Sequence, residues 1–247
     1  MKFIALLSIF ALSTSAFAQL VKPMDDLFAM NNRLNAGKDG ATITRESLAN
    51  YDKFVAMDVN ALQVQSLAIV DAKKLKFLTK NQAEIAIRAS QANPVASTEQ
   101  YHKYDPRNQG IGFCFGRATF VNLYLAAAGV NRANIKKAFI VGRMDGGAWG
   151  WHVTTIVESR NPVNGKEMWL ALDPISQQGI QDVRSWYKEM SRKSDDGKLR
   201  LYIGEAGKLG AGASRYDEIS FADPFYNNYF KDMRSWFEKN DVSKDLK

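Results

Sequence analysis

Along residues 23–35, apolar residues fall at Met24, Leu27, Phe28, Met30 and Leu34, and Gly37 follows. That spacing is one face of a helix with a plausible stop. "KDGAT" (38–42) reads as a turn and Ser47 to Val59 as a second helix. "LQVQSLAIVDAK" (62–73) mixes alternation with an apolar run and predicts a strand. Thr79 is a good N-cap for a third helix, "KNQAEIAIRAS" (80–90), and Asn93-Pro94 breaks the pattern. A boundary is therefore expected between about 90 and 100.

Beyond it the order changes. "YHKYDPRNQGIG" (101–112) is loop-like. "CFGRATFVNLYLAAAG" (114–129) places Ala118, Val121, Leu125 and Ala128 on one helical face, with Gly129 as the stop. "KKAFIVGRM" (136–144), "WHVTTIVES" (151–159) and "EMWLALDP" (167–174) read as three strands, joined by the turn "DGGAWG" and the loop "NPVNGK". The order is helix, strand, strand, strand. The tail holds two similar stretches, "DVRSWYKEM" (182–190) and "DMRSWFEKN" (232–240), each read as a short amphipathic helix capped by its Asp. Nine residues do not establish a repeat. "GEAGKLGAGAS" (204–214) reads as a mobile loop.

The first residues change the setting. Lys2, the apolar run Phe3 to Leu12 and the small residues of Ala16-Phe17-Ala18 form a secretory signal, cut after Ala18. The run is too short to span a bilayer, so no membrane association is expected after its removal. The expected location is secreted or periplasmic. Residues 19–247 suffice for one sizeable domain, or a domain with a prosegment. Apolar residues are 46% of the chain, and its net charge is +7. Lys and Arg are interspersed with Asp and Glu, which excludes a nucleic-acid signature. One cysteine and two histidines build no standard zinc site, and no phosphate-binding glycine loop is present. No metal and no cofactor are expected.

An exported chain usually pairs its cysteines or lacks them. The single Cys114 is thus either an inert buried residue or a thiol kept for chemistry. It opens a helix, where free N–H groups and the dipole stabilise a thiolate and hold an oxyanion. Gly110, Gly112 and Gly116 argue against tight core packing around it. A thiol nucleophile needs a base. His152 opens a strand after a glycine-rich turn and is preferred to His102, which lies in a polar loop. Asp173 ends the next strand, so a hairpin would set it beside His152 as the orienting carboxylate. Asp223-Pro224 repeats the Asp173-Pro174 dipeptide without a strand before it, so the dipeptide alone signifies little. Trp149 and Trp151 flank the histidine, as walls of a substrate slot or as ordinary aromatic packing.

"CFGRA", "WHVTTIV" and "LALDP", in this order and spacing over about residues 95–180, resemble the protein-glutaminase group of the transglutaminase-like and papain-like cysteine enzymes. The resemblance implies an α+β fold: a papain/transglutaminase-like core with the nucleophile helix packed on an antiparallel sheet, plus a mainly helical N-terminal segment. It implies Cys114 as nucleophile, His152 as base and Asp173 as its orienter. By analogy with papain, Gln109 is a side-chain oxyanion donor. The implied organisation is a signal peptide at 1–18, a prosegment at 19–92 and a cysteine-dependent catalytic domain at 93–247. The implied activity is deamidation of glutamine in a protein or peptide substrate, with the uncut chain expected to be a weakly active zymogen and the protein a monomer. Transglutaminase-type acyl transfer, peptide cleavage and a non-catalytic secreted binding domain remain open beside it.

Overall fold

β1 (Ile135–Met144) and β2 (Trp149–Arg160) are buried along nearly their whole length, as β-branched and aromatic strands covered on both faces should be. They lie inside a five-stranded sheet of order β4-β3-β2-β1-β5, completed by β3 (Glu167–Leu172), β4 (Gln181–Asp182) and β5 (Arg200–Glu205). Every pairing is antiparallel. The chain is seen in a computed structural model, which describes residues 22–65, 75, 77–104, 113–207 and 227–247. The helices are α1 (Lys22–Asn35), α2 (Gly40–Gln65), α3 (Lys80–Ala92), α4 (Tyr101–Tyr104), α5 (Cys114–Ala127), α6 (Val183–Ser191) and α7 (Asn227–Lys239). None is long and apolar enough to cross a membrane.

Alternation along the strands divides the core. Ile135, Phe139, Val153, Val157, Leu170 and Leu172 face a cluster built with α3, α5 and α7. Ala138, Ile140, Ile156, Trp169 and Ala171 face the other way, toward Tyr51 of α2 and Trp186, Tyr187 and Met190 of α6. The protein is thus an α+β fold with an antiparallel sheet between two helical layers. Thr155 ties the sheet to α5 by donating its hydroxyl to the Ala118 carbonyl at 2.6 Å.

Five sequence expectations change. Tyr101–Tyr104, inside the expected loop 101–112, form α4. Asp39 caps α2, accepting from the Thr42 N–H at 2.8 Å, so the helix starts inside the expected "KDGAT" turn. α2 then runs through Gln65, so residues 62–65 of the expected strand are helical and the rest lie outside the described residues. A few alternating residues do not separate the two periods. α7 starts ahead of Asp232, which is no cap; its carboxylate accepts from Tyr104 Oη at 2.8 Å and Lys103 Nζ at 3.0 Å. β5 takes up Gly204 and Glu205 of the expected mobile loop; residues 208–214 of it lie outside the described residues. β5 carries a buried Arg200, whose guanidinium meets Asn35 Oδ1 at 2.9 Å and Glu46 Oε2 at 3.0 Å.

α3 is capped as expected, with a reciprocal Thr79–Gln82 capping box. Its Ala83, Ala86 and Ile87 belong to the same buried cluster as Val121 and Leu125 of α5. Just ahead of it, the Leu78 N–H donates to the Glu158 carbonyl of β2 at 3.0 Å. α1 and α2 dock elsewhere: Tyr202 Oη donates to Asn31 at 2.9 Å, and the Leu201 N–H donates to Ser47 Oγ at 3.2 Å.

Candidate active site

Phe113 enters α5 in the left-handed region, with φ of 46°. A bulky residue there is strained and persists only where its surroundings fix it. Its ring is held by Tyr229 at 4.9 Å and Phe115 at 5.7 Å between centroids, with Tyr104 edge-on at 6.4 Å. The Phe113 carbonyl accepts from the N–H groups of Gly116 and Arg117, and no side chain caps the helix. Cys114 is therefore the first helical residue, half-buried, at an N-terminus without a side-chain cap. A Cβ on Gly116 would lie 2.3 Å from Tyr229 Cε1, so only glycine lets that phenol ring cross the first turn of α5.

His152, in β2, pairs with Ile140 of β1. Leu172 pairs with Thr155, so Asp173, one residue later, stands diagonally across from His152. The two meet: His152 Nε2 and Asp173 Oδ2 are 2.7 Å apart, with the side chains 1% and 2% exposed. Asp173 Oδ2 also accepts from Trp186 Nε1 at 2.9 Å, and Oδ1 accepts from the Ile175 N–H at 3.2 Å. With Nε2 so engaged, Nδ1 is the nitrogen left for a thiol. It is buried and makes no hydrogen bond of ordinary geometry.

Burial alone would discharge the His152 ring. The Asp173 carboxylate, and after it the Cys114 thiol, outweigh burial and raise its pKa to about 9. Burial likewise opposes ionisation of Asp173, but His152, then Trp186 and Arg117, bring its pKa below the usual carboxylate value. An ionised Asp173 beside a protonated His152 is the state these surroundings favour.

Trp149 stacks on the His152 ring, 5.7 Å between centroids at 20°. Trp151 packs instead toward Phe139, 6.4 Å away, within the α5-side cluster. Gln109 and Asp223 lie outside the described residues. Among the described residues, no three His, Cys, Asp or Glu side chains gather to hold a metal. Sequence reading gave no role to Trp186, Tyr229, Arg117 or Lys137. Trp186 showed only as part of an amphipathic face, and Arg117 only as a letter in "CFGRA".

No protein-family model matches the chain, and no curated protein matches it. Among solved structures, protein-glutaminase from Chryseobacterium proteolyticum is similar with a TM-score of 0.40 and 18% identity, over 55% of this chain and 74% of that one. A crystal structure of protein-glutaminase is similar with a TM-score of 0.42 and 13% identity, over 64% of this chain and 90% of that one. A mutant of pro-protein-glutaminase is similar with a TM-score of 0.45 and 15% identity, over 71% of this chain and 66% of that one. These likenesses are distant, and the chemistry of the site rests on its own residues.

Proposed function

We propose that the chain is an exported cysteine amidohydrolase of protein-glutaminase type, converting glutamine side chains of proteins or peptides to glutamate and ammonia. The observation that carries this reading is the buried His152–Asp173 pair, with Nδ1 left over and Cys114 close enough to act on the ring's proton affinity. Cys114 is the nucleophile, His152 the acid and base, and Asp173 the group that fixes the ring.

The Cys114 thiolate attacks the carboxamide carbon, and the carbonyl π pair moves to oxygen. The Cys114 N–H holds that oxyanion, with the Gln109 carboxamide as second donor. As the pair returns, the C–N bond breaks and the His152 imidazolium protonates the leaving nitrogen, releasing ammonia. Water then attacks the thioester while His152 takes its proton. The C–S bond breaks, the sulfur leaves as thiolate, and glutamate departs. Trp149, stacked on His152, walls the slot that admits the flat amide.

The N-terminal helices act as a removable cover. α1 brings Phe28 against Gly150, next to Trp149 and Trp151: a Cβ on Gly150 would lie 2.8 Å from Phe28 Cζ. Of the proposed 19–92 segment, α3 packs in the same cluster as α5, which favours a processing cut ahead of Leu75, at Lys73 or Lys74.

The test is incubation of the processed protein with a glutamine-rich protein, measuring ammonia and intact mass. Ammonia with intact, uncrosslinked chains is the expected result. Cross-linked products would assign acyl transfer to amines, and cleaved chains a peptidase. No product from any substrate, with Cys114 inert to alkylation, would leave a binding domain.

A further inference from the structure

Gly150 stands in β2 two residues before His152, between Trp149 and Trp151. Its φ lies outside the left-handed region, so the backbone there would accept any residue. A glycine inside a strand weakens it and often marks a close approach by another group. Here that group is the Phe28 ring: a Cβ at Gly150 would lie 2.8 Å from its Cζ and 3.1 Å from its Cε1. The strand thus keeps a notch that an aromatic ring fits. The notch lies about 7 Å along β2 from His152, the spacing of alternate side chains in an extended peptide.

The ring is not part of the core. No described side chain of α1 belongs to either core cluster, and Met30 and Leu34 are 37% and 42% exposed. α1 docks instead by a polar stripe. Asn31 Nδ2 donates to the Val141 carbonyl at 3.5 Å, and Asn35 Nδ2 donates to the Lys198 carbonyl at 3.2 Å. Phe28 lies on the same stripe, three residues before Asn31. Beside it a cavity of about 450 Å³ remains, lined by Phe28, Asn32, Gly142, Arg143, Gly150 and Lys198. That is room for a ligand side chain. A ring set at a cavity, on a helix held by polar bonds, is one that another ring can replace.

We propose that the Gly150 notch is a substrate subsite for an aromatic side chain two residues from the reacting glutamine, held by Phe28 in the uncut chain. Its role as a substrate subsite rests on the glutaminase reading.

The test uses the full chain as Phe28→Ala, and as Phe28→Ala with Gly150→Val, each checked for native circular dichroism. Gly150→Ala replaces Gly150→Val if the latter does not fold. The probes are three peptides: Ala-Ala-Gln-Ala-Ala, Phe-Ala-Gln-Ala-Ala and Ala-Ala-Gln-Ala-Phe. Calorimetry reads their affinity, and ammonia release reads their turnover. In Phe28→Ala, one of the two Phe peptides should bind about tenfold more tightly than the alanine peptide, or better, the gain from burying a phenyl group. That advantage should shrink in the wild type, where Phe28 fills the notch, and vanish once residue 150 carries a side chain. A folded Phe28→Ala chain without the preference overturns the proposal, and so does a preference that survives the block at Gly150. Ammonia without an aromatic preference keeps the glutaminase reading and sinks the subsite. An aromatic preference without ammonia keeps the notch as a peptide-binding site and sinks the glutaminase reading.

Discussion

Trp186 donates its indole N–H to Asp173 Oδ2 at 2.9 Å, the same oxygen that meets His152 Nε2 at 2.7 Å. The carboxylate is held from two directions before it holds the imidazole. Trp186 is itself fully buried on α6, beneath the sheet. A hydrogen bond to a charged group contributes roughly 1.5–3 kcal/mol. Trp186→Phe keeps an aromatic ring and removes the donor. We expect kcat to fall by roughly ten- to a hundredfold with KM nearly constant, and stability to drop by about 1–3 kcal/mol. Steady-state kinetics with urea melts read both. An unchanged kcat would show that His152 and Ile175 suffice to place the carboxylate.

The same pair sets a pH dependence of stability. The folded His152 pKa, about 9, stands above its ordinary 6.5. Its contribution is complete below about 6.5 and is lost as pH rises through about 9. Asp173 has the opposite sign: its folded pKa lies below 3.8, so its contribution holds above 3.8 and is lost on acidification through the folded value. Melting temperature should therefore decline between pH about 6.5 and 9 in the wild type. That decline should flatten in Asp173→Asn. Parallel curves would show that another group titrates.

The proposed roles rank five substitutions. Cys114→Ser should lose nearly all activity with the fold intact, since the hydroxyl is a far weaker nucleophile. His152→Ala should match it, while His102→Ala should be nearly neutral. Asp173→Asn should cost much of kcat and Asp223→Asn little. Rates from ammonia release decide the order. An active Cys114→Ser chain would remove the nucleophile assignment.

Much of this architecture is legible along the chain. The stretch from Cys114 to Asp173 shows its helix and three strands because each has a clear period and a glycine or proline stop. Antiparallel pairing of two consecutive strands then brings His152 and Asp173 near one another without further information. What stays hidden depends on distant packing. Trp186 reaches Asp173 only because α6 lies against the sheet, and Tyr229 reaches Gly116 from the far end of the chain. β5 is hidden for a different reason. Six residues with a charge at either end carry little periodicity, and Arg200 is buried only through partners in α1 and α2.

Gly116 tests the α5–α7 contact directly. A methyl group there would sit 2.3–2.5 Å from three atoms of the Tyr229 ring and hydroxyl. Tyr229 is wedged against Phe113, Tyr104 and Phe230, so it has little room to retreat. Gly116→Ala should cost about 1–3 kcal/mol, the usual overpacking penalty, despite alanine's better helix propensity. Tyr229→Leu in the same chain should return part of that loss. A double-mutant cycle by chemical denaturation measures the coupling, and additive effects would mean that the ring moves freely.

The last prediction concerns where the N-terminal segment can be cut. Two fragments differ in what they take from the core. Residues 93–247 lose Leu78, Ala83, Ala86 and Ile87, all buried in the cluster that supports α5. They also lose the Gln82 side-chain donor to the Leu246 carbonyl, 2.6 Å away, which ties α3 to the C-terminus. Truncating a buried Leu or Ile such as Leu78 or Ile87 to alanine typically costs about 2–5 kcal/mol. Losing Leu78 and Ile87 whole, with two buried alanines and their backbone, is of the same order as the roughly 5–15 kcal/mol that holds an ordinary domain together. Residues 75–247 keep all of these and give up only α1 and α2. The second face of the sheet is then uncovered around Arg200 and Leu201, where Ile43, Ser47 and Tyr51 pack, while α6 keeps its own contacts on that face. We therefore expect the 93–247 fragment to be insoluble or unfolded. The 75–247 fragment should fold and exceed the full chain in ammonia release. Expression of both, with sedimentation, circular dichroism and activity, decides it. A folded and active 93–247 fragment would show that α3 is dispensable. A full chain as active as 75–247 would show that α1 and α2 are a structural layer rather than a cover.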